Sequence, residues 1–168
     1  MIKFEKVSYE EFKKAFQTLG AVVDEEAIKE VYDNVQLPKR GTEGSAGYDF
    51  FNPYGMMSIA NEAAMINTPL LPTGIRFVTD QQVVLLCYPR SGQGVKHGMR
   101  LMNTVGVIDS DYWISENEGH IMFKASAVTP ITIERGKAFM QAIITPYLKT
   151  DDDNTTEKRN GGFGSTSK

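Results

Sequence analysis

Four stretches of this chain set acidic, cationic, hydroxyl and amide side chains among glycines in ways that packing does not require. In "GTEGSAGYDFF" at 41–51, Tyr48 and Asp49 follow a turn of small residues, where a ligand or another backbone segment can come close. "YPRSGQGVKHG" at 88–98 joins Arg90, Ser91 and Gly92 on a glycine-rich turn, and a cation, a hydroxyl and exposed amides together can hold phosphate oxygens. "NTVGVIDSDYW" at 103–113 runs an apolar strand into Asp109, Asp111 and Tyr112, and "MQAII" at 140–144 holds Gln141 as its single polar residue. Each has a plain alternative. Asp49, Asp109 and Asp111 suit turns and caps, Arg90 a surface ion pair, and Gln141 a satisfied core amide. Only their combination and order point to a site for a phosphorylated ligand.

The elements that must position these residues fall into three regions. Residues 1–36 read as a strand, "MIKFEKV", and two helices. Ser8 and Glu11 form a capping box, Phe12, Ala15, Phe16 and Leu19 recur at helical spacing until Gly20, and a second helix starts at Asp24 with Ala27, Ile28, Val31 and Tyr32 on one face. Residues 37–148 break into short segments rich in Val, Ile, Phe and Thr between Gly and Pro. The expected strands are "AAMINT", "GIRFVT", "QVVLLCYP", "LMNTVGVI", "HIMFKAS" and "ITIERG", with "AFMQAIITPYL" as a closing element. Such spacing implies an antiparallel sandwich or barrel and not alternating βαβ units. Residues 149–168 are acidic, then glycine- and hydroxyl-rich, and read as a mobile arm.

Composition limits what this organisation can serve. A length of 168 residues with 41% hydrophobic and 23% charged residues fits one compact domain with appendages. A net charge of -3 points away from nucleic acid and anionic membranes as partners, while a few local cations suffice for a small anion. Cys87 alone permits no internal disulfide, suits a reducing cytoplasm, and sits in an apolar run as a buried structural thiol. No stretch reaches the ~20 apolar residues of a membrane span.

Read together and in order, the motifs resemble those of the trimeric dUTPase family, over roughly residues 37–168. "AGYDF" at 46–50 is similar to the first family motif, and "PRSG" at 89–92 with "KHG" at 96–98 to the second. "GVIDSDY" at 106–112 is similar to the third, the segment around "GKAFMQA" at 136–142 to the fourth, and "GGFGSTS" at 161–167 to the fifth. The resemblance implies a mainly β, jelly-roll or barrel fold of the β-clip kind, with a short helical insertion at 8–33 and a flexible C-terminal arm. It implies hydrolysis of dUTP to dUMP and pyrophosphate with Mg2+ as cofactor, in a homotrimer whose active sites are shared between chains.

Residue roles follow from the same resemblance. Asp49 would hold Mg2+ through water, the ion itself being chelated by the triphosphate. Arg90, Ser91 and Gly92 would bind phosphates, with the Ser91 hydroxyl near the leaving oxygen. Asn103, Gly106 and Ile108 would line the uracil pocket. Asp109 would activate the attacking water and bond the sugar 3′-hydroxyl, Tyr112 would pack against the deoxyribose and exclude a 2′-hydroxyl, and Gln141 would reach the phosphate chain. In the arm, Phe163 would stack on uracil, Gly164, Ser165 and Thr166 would close over the nucleotide, and Arg159 would supply charge.

Three features depart from the family pattern. Lys137 and Ala138 stand where an acid and an arginine usually follow the fourth-motif glycine, and Arg159 lies one residue closer to the fifth motif, leaving Lys158 as an alternative cation. "WISENE" separates Tyr112 from Gly119 where the family turns at once. Two other readings share parts of the pattern: a dCTP deaminase-related enzyme, and a nucleotide-responsive regulatory trimer with the inserted helices as docking surface.

Overall fold

The computed structural model describes residues 1–20, 23–61, 64, 70–159 and 161. Strand β1 (Ile2–Lys6) leads through Ser8 into helix α1 (Tyr9–Gln17), and Asp24 caps α2 (Glu25–Asp33). Ser8 accepts the Glu11 N–H and Asp24 the Glu26 N–H as N-caps, but the expected capping box is only half formed, because the Ser8 N–H donates to Glu118 and not to Glu11; Glu10, Glu11, Glu25 and Glu26 stand in the first turns, near the positive helix ends. Phe12, Ala15, Phe16 and Ile28 form the buried stripe. The expected strand "AAMINT" lies largely outside the described residues.

The remainder is β. The strands are β2 (Lys39–Arg40), β3 (Tyr48–Phe51), β4 (Met56–Ile59), β5 (Leu71–Thr79), β6 (Val83–Pro89), β7 (Arg100–Leu101) and β8 (Gly106–Ile108), then β9 (His120–Phe123), β10 (Ala125–Ser126), β11 (Ile131–Glu134) and β12 (Ala138–Pro146). Every pairing is antiparallel. The larger sheets are β2-β3-β12-β6-β8 and β1-β5-β9, with β10-β7 and β11-β4 as small pairs. The arrangement is jelly-roll-like, and the described strands lie in separate sheets, not one closed barrel. None of the helices among the described residues is long and apolar enough to cross a membrane.

The core lies between the two larger sheets and under the helices. Phe12, Phe50, Phe77, Ile75, Leu85, Ile121 and Met140 are fully buried, and the Phe4 ring packs 5.3 to 5.8 Å from Tyr48, Phe50 and Phe77. β1 is therefore an integral strand, registered with Phe4 opposite Phe77 on β5. β12 is central in its sheet and buries Phe139 on one face and Met140 and Ala142 on the other, which explains why apolar residues stand on both sides of Gln141.

Three segments differ from their predicted form, "HIMFKAS" being divided between β9 and β10, which belong to different sheets. The glycine-rich "RSGQGVKHG" is not an open turn: Ser91–His97 forms a short helix, α3, closed by Gly98 in the left-handed conformation. "LMNTVGVI" is not one strand, because the chain leaves β7 and bends before β8. Thr104 sits at φ 64, and the Val105 N–H reaches the Asn103 carbonyl at 2.7 Å. That is a tight three-residue turn around a β-branched residue, a strained geometry, and it presents Asn103 at the rim of the site.

Candidate functional site

The register of the five-stranded sheet gathers the first, second and fourth motifs. Gln141 on β12 stands opposite Asp49 on β3 and Tyr88 on β6. Its Nε2 donates to the Pro89 carbonyl at 3.2 Å, directly before Arg90. A Cβ built on Gly47 would fall 2.6 Å from Gln141 Oε1, so glycine there is what lets the amide lie flat against the first motif. Asp49, mostly buried, holds Arg90 Nε at 3.0 Å. Arg90, Ser91 and Gly92 line a hollow with Gln93, Lys96 and His97. Gln93 Nε2 donates to the Ala138 carbonyl at 3.0 Å, so α3 is tied to β12 at one of the positions that departs from the family pattern. Gln93 Oε1 and His97 Nδ1 are buried and find no hydrogen-bond partner among the described residues.

A second cavity, of about 260 Å³, opens between β6, β8 and β12 on one side and β9 on the other. Asn103, Gly106, Ile108, Asp109, Tyr112 and Arg159 line it, over an apolar floor that includes Cys87, Ile121, Phe123 and Met140. It is smaller than the roughly 300–1,000 Å³ of sites for drug-sized ligands, a size for a ring or a nucleoside and not for a whole triphosphate. β8 ends its sheet, so among the described residues one edge of Gly106–Ile108 pairs with no other strand and can offer backbone groups to a ring. Gly106 faces Cys87 across the β6-β8 pair. Burial pushes the Cys87 thiol up to about 12, as expected of an inert structural cysteine.

The carboxylates at the mouth are already paired. Arg159 Nη2 donates to Asp109 Oδ2, its Nε donates to Asp111 Oδ1 at 2.9 Å, and the guanidinium lies 5.6 Å from the centre of the Tyr112 ring. Arg159 is thus held by carboxylates of its own chain and by an aromatic face. Tyr112 itself is buried, which raises its phenol above the ordinary range. Among the described residues no three His, Cys, Asp or Glu side chains gather as a metal site.

The predicted site residues therefore fall into two groups, Asp49, Arg90, Ser91, Gly92 and Gln141 in one, and Asn103, Gly106, Ile108, Asp109, Tyr112 and Arg159 in the other. Phe163, Gly164, Ser165 and Thr166 lie outside the described residues. Sequence reasoning assigned no role to Asp111, Gln93, Lys96 or His97. Asp111 was visible as a second acid in "DSD", but its partner lies 48 residues away.

A jelly-roll-like β protein with a pocket for a ring and a separate cation-and-hydroxyl hollow is the class that fold and site define. The family model for dUTPase matches residues 33–167. A deoxyuridine 5'-triphosphate nucleotidohydrolase of Lactococcus lactis is 39% identical over 137 residues, covering 79% of this chain and 88% of that protein. One of Photorhabdus laumondii is 37% identical over 136 residues, covering 76% and 84%. Among solved structures, a dUTPase from Streptococcus mutans superposes with a TM-score of 0.60 at 29% identity, over 89% of this chain and 98% of that one. A mutant dUTPase from phage phi11 of S. aureus shares the fold, with a TM-score of 0.61 at 14% identity over 94% and 97%. The chain belongs to the dUTPase family.

Proposed function

We propose that this chain hydrolyses dUTP to dUMP and pyrophosphate. The observation that carries the reading is the small pocket that brings Asn103, Gly106, Ile108, Asp109 and Tyr112 of the third motif together beside a carboxylate, within a chain whose relatives are named for this reaction. Uracil enters against the free edge of β8, where backbone groups read its polar edge and a tight wall excludes a 5-methyl group. Tyr112 faces the deoxyribose. Asp109 orients and deprotonates the water that attacks the α-phosphorus.

Arg90, Ser91 and Gly92 bind phosphate oxygens, and Gln141 reaches the same chain of phosphates from β12. Arg159 pairs with Asp109, and its transfer to phosphate oxygens would release the carboxylate as a base and supply a cation where negative charge accumulates. Asp49 is a carboxylate with the Arg90 cation beside it. That set suits Mg2+ as the ion is usually held on nucleotides, by phosphates and water with one or two carboxylates behind them. Bound there, the ion would neutralise phosphate charge. A homotrimer with shared sites accounts for the two groups of residues lining separate cavities in one chain.

Pyrophosphate release from dUTP, dCTP, dTTP and UTP in the presence of Mg2+ tests the proposal. Turnover confined to dUTP is expected. Equal turnover of all four, or of none, overturns it, and ammonia release from dCTP would assign the deaminase reading instead.

A further inference from the structure

The shared family span begins at residue 33, leaving α1 and nearly all of α2 before it, and the turn 113–119 lengthens the chain after Tyr112. These two features meet. The Ser8 N–H donates to Glu118 Oε2 at 2.8 Å and the Ser8 hydroxyl donates to Glu118 Oε1, while Ser8 Oγ accepts the Glu11 N–H at 3.1 Å as the α1 cap. The Glu118 carboxylate thus closes the N-terminus of α1, and Arg76 Nη1 stands 3.9 Å away. Burial works to raise the Glu118 carboxyl, but the Ser8 hydroxyl and amide together with Arg76 outweigh it and hold it below the ordinary range.

Glu118 adopts φ 56 and Gly119 φ 72, so two successive residues are left-handed. A Cβ on Gly119 would fall 2.4 Å from the Trp113 Cα, which shows how flat the turn folds onto its own start. Inside the turn, Asn117 Nδ2 donates to the Tyr112 hydroxyl at 2.9 Å, and Asn117 Oδ1 accepts the Gly119 N–H at 3.2 Å. The Tyr112 hydroxyl in turn donates to the His120 carbonyl at 3.2 Å. His120 is clasped from α1 and β5: its Nε2 accepts the Gly74 N–H at 2.9 Å, its ring packs 6.0 Å from Phe12, and Glu11 Oε1 lies 3.5 Å from its Nδ1. Asn117 therefore holds the Tyr112 hydroxyl from a turn fastened to α1, and His120, the first residue of β9, holds it from a position against which α1 also packs.

We infer that α1 and the 113–119 turn form a brace that holds the Tyr112 ring in place against the sugar, making Asn117 and Glu118 positioning residues for the rejection of a 2′-hydroxyl. The inference rests on the proposed reading of Tyr112 as the deoxyribose-facing ring. Excluding one hydroxyl by contact works only against a wall that does not yield, and sites of this kind need their parts held within roughly 0.5 Å. An anchored phenol hydroxyl supplies that stiffness from the side remote from the ligand.

The test compares kcat/KM for dUTP and UTP in the full-length protein and in Asn117→Ala, Glu118→Gln and Ser8→Ala. The dUTP preference should fall roughly tenfold in Asn117→Ala, the equivalent of one hydrogen bond, and less in the other two, chiefly through faster UTP turnover. In a Tyr112→Phe background Asn117→Ala should add nothing, because both changes remove the same bond. Unchanged preference in all three variants overturns the brace, whether or not their thermal stability falls. If the parent protein does not hydrolyse dUTP, the functional proposal fails by itself, and the brace is then judged by Trp113, the single tryptophan. Its Nε1 donates to the Thr79 carbonyl at 3.1 Å. Easier quenching of its fluorescence by acrylamide in Glu118→Gln and Asn117→Ala supports a loosened turn, and identical quenching refutes it.

Discussion

Acid should weaken this protein through His120 before its carboxylates are protonated. The imidazole is fully buried and its Nε2 accepts the Gly74 N–H, so the hydrogen sits on Nδ1, and a second proton would cost that bond. Burial drives the ring from 6.5 down to about 4, against the weaker pull of Glu118. Above pH 6.5 the ring is neutral whether the chain is folded or not, and it contributes no pH dependence. Between 6.5 and about 4 the unfolded chain takes up a proton that the folded chain refuses, so stability falls as pH falls. The loss is about 2 kcal/mol by pH 5 and about 3 kcal/mol by pH 4. Glu11, raised by its own burial, binds its proton more readily in the folded state and so acts in the opposite sense, but within the carboxylate range.

Thermal unfolding followed by circular dichroism from pH 7.5 to pH 5 isolates the effect when the protein is compared with His120→Gln, whose amide oxygen can still accept the Gly74 N–H. The parent should lose about 2 kcal/mol more than the variant over that interval, roughly 4–8 °C in Tm for a chain of this size. Parallel curves for the two proteins would refute the reasoning, since they would mean that the buried ring takes up its proton as easily as in water.

Three further outcomes follow from the site. Asp109→Asn should lower kcat by about a thousandfold or more while dUTP still binds, measured by calorimetry alongside pyrophosphate release, because a carboxamide orients water but accepts no proton. Gly47→Ala should push Gln141 Oε1 off its present position, 2.6 Å from the added carbon, and lower kcat/KM roughly tenfold with little change in KM if the amide acts on phosphates in the transition state. Thr104→Asn should raise stability by about 1 kcal/mol in denaturant titration, since asparagine tolerates the left-handed conformation that threonine resists.

How far the site could be read from the chain depended on how local its parts are. The half of the α1 cap in which Ser8 accepts the Glu11 N–H is set by neighbours in sequence, and so was legible; the acceptor of the Ser8 N–H, Glu118, was not. β6 was legible from its apolar run, and the 74–79 part of β5 from its Ile, Phe and Val. The short helix at Ser91–His97 was not, because three of the ten positions from 89 to 98 are glycines that favour a turn, and the contact that ties it to the sheet, Gln93 to the Ala138 carbonyl, spans 45 residues. The break at Thr104 was hidden for the opposite reason: a β-branched residue in an apolar run signals strand, and the tight turn is imposed by the bond between Thr104 N–H and the Leu101 carbonyl at 2.9 Å and by the pairing of β8 with β6.

Residue types and motif order alone determined the chemistry available to this protein: a carboxylate after an apolar strand at Asp109, a cation and hydroxyl at Arg90 and Ser91, and a β-rich frame to carry them. Tertiary structure decided which of those groups touch. Arg159 answers Asp109 and Asp111 across some fifty residues of chain, and Glu118 answers Ser8 across 110. Such partners share no local pattern, because contacts of that range are made by strand register and sheet packing, in which a one-residue slip would turn every side chain to the other face.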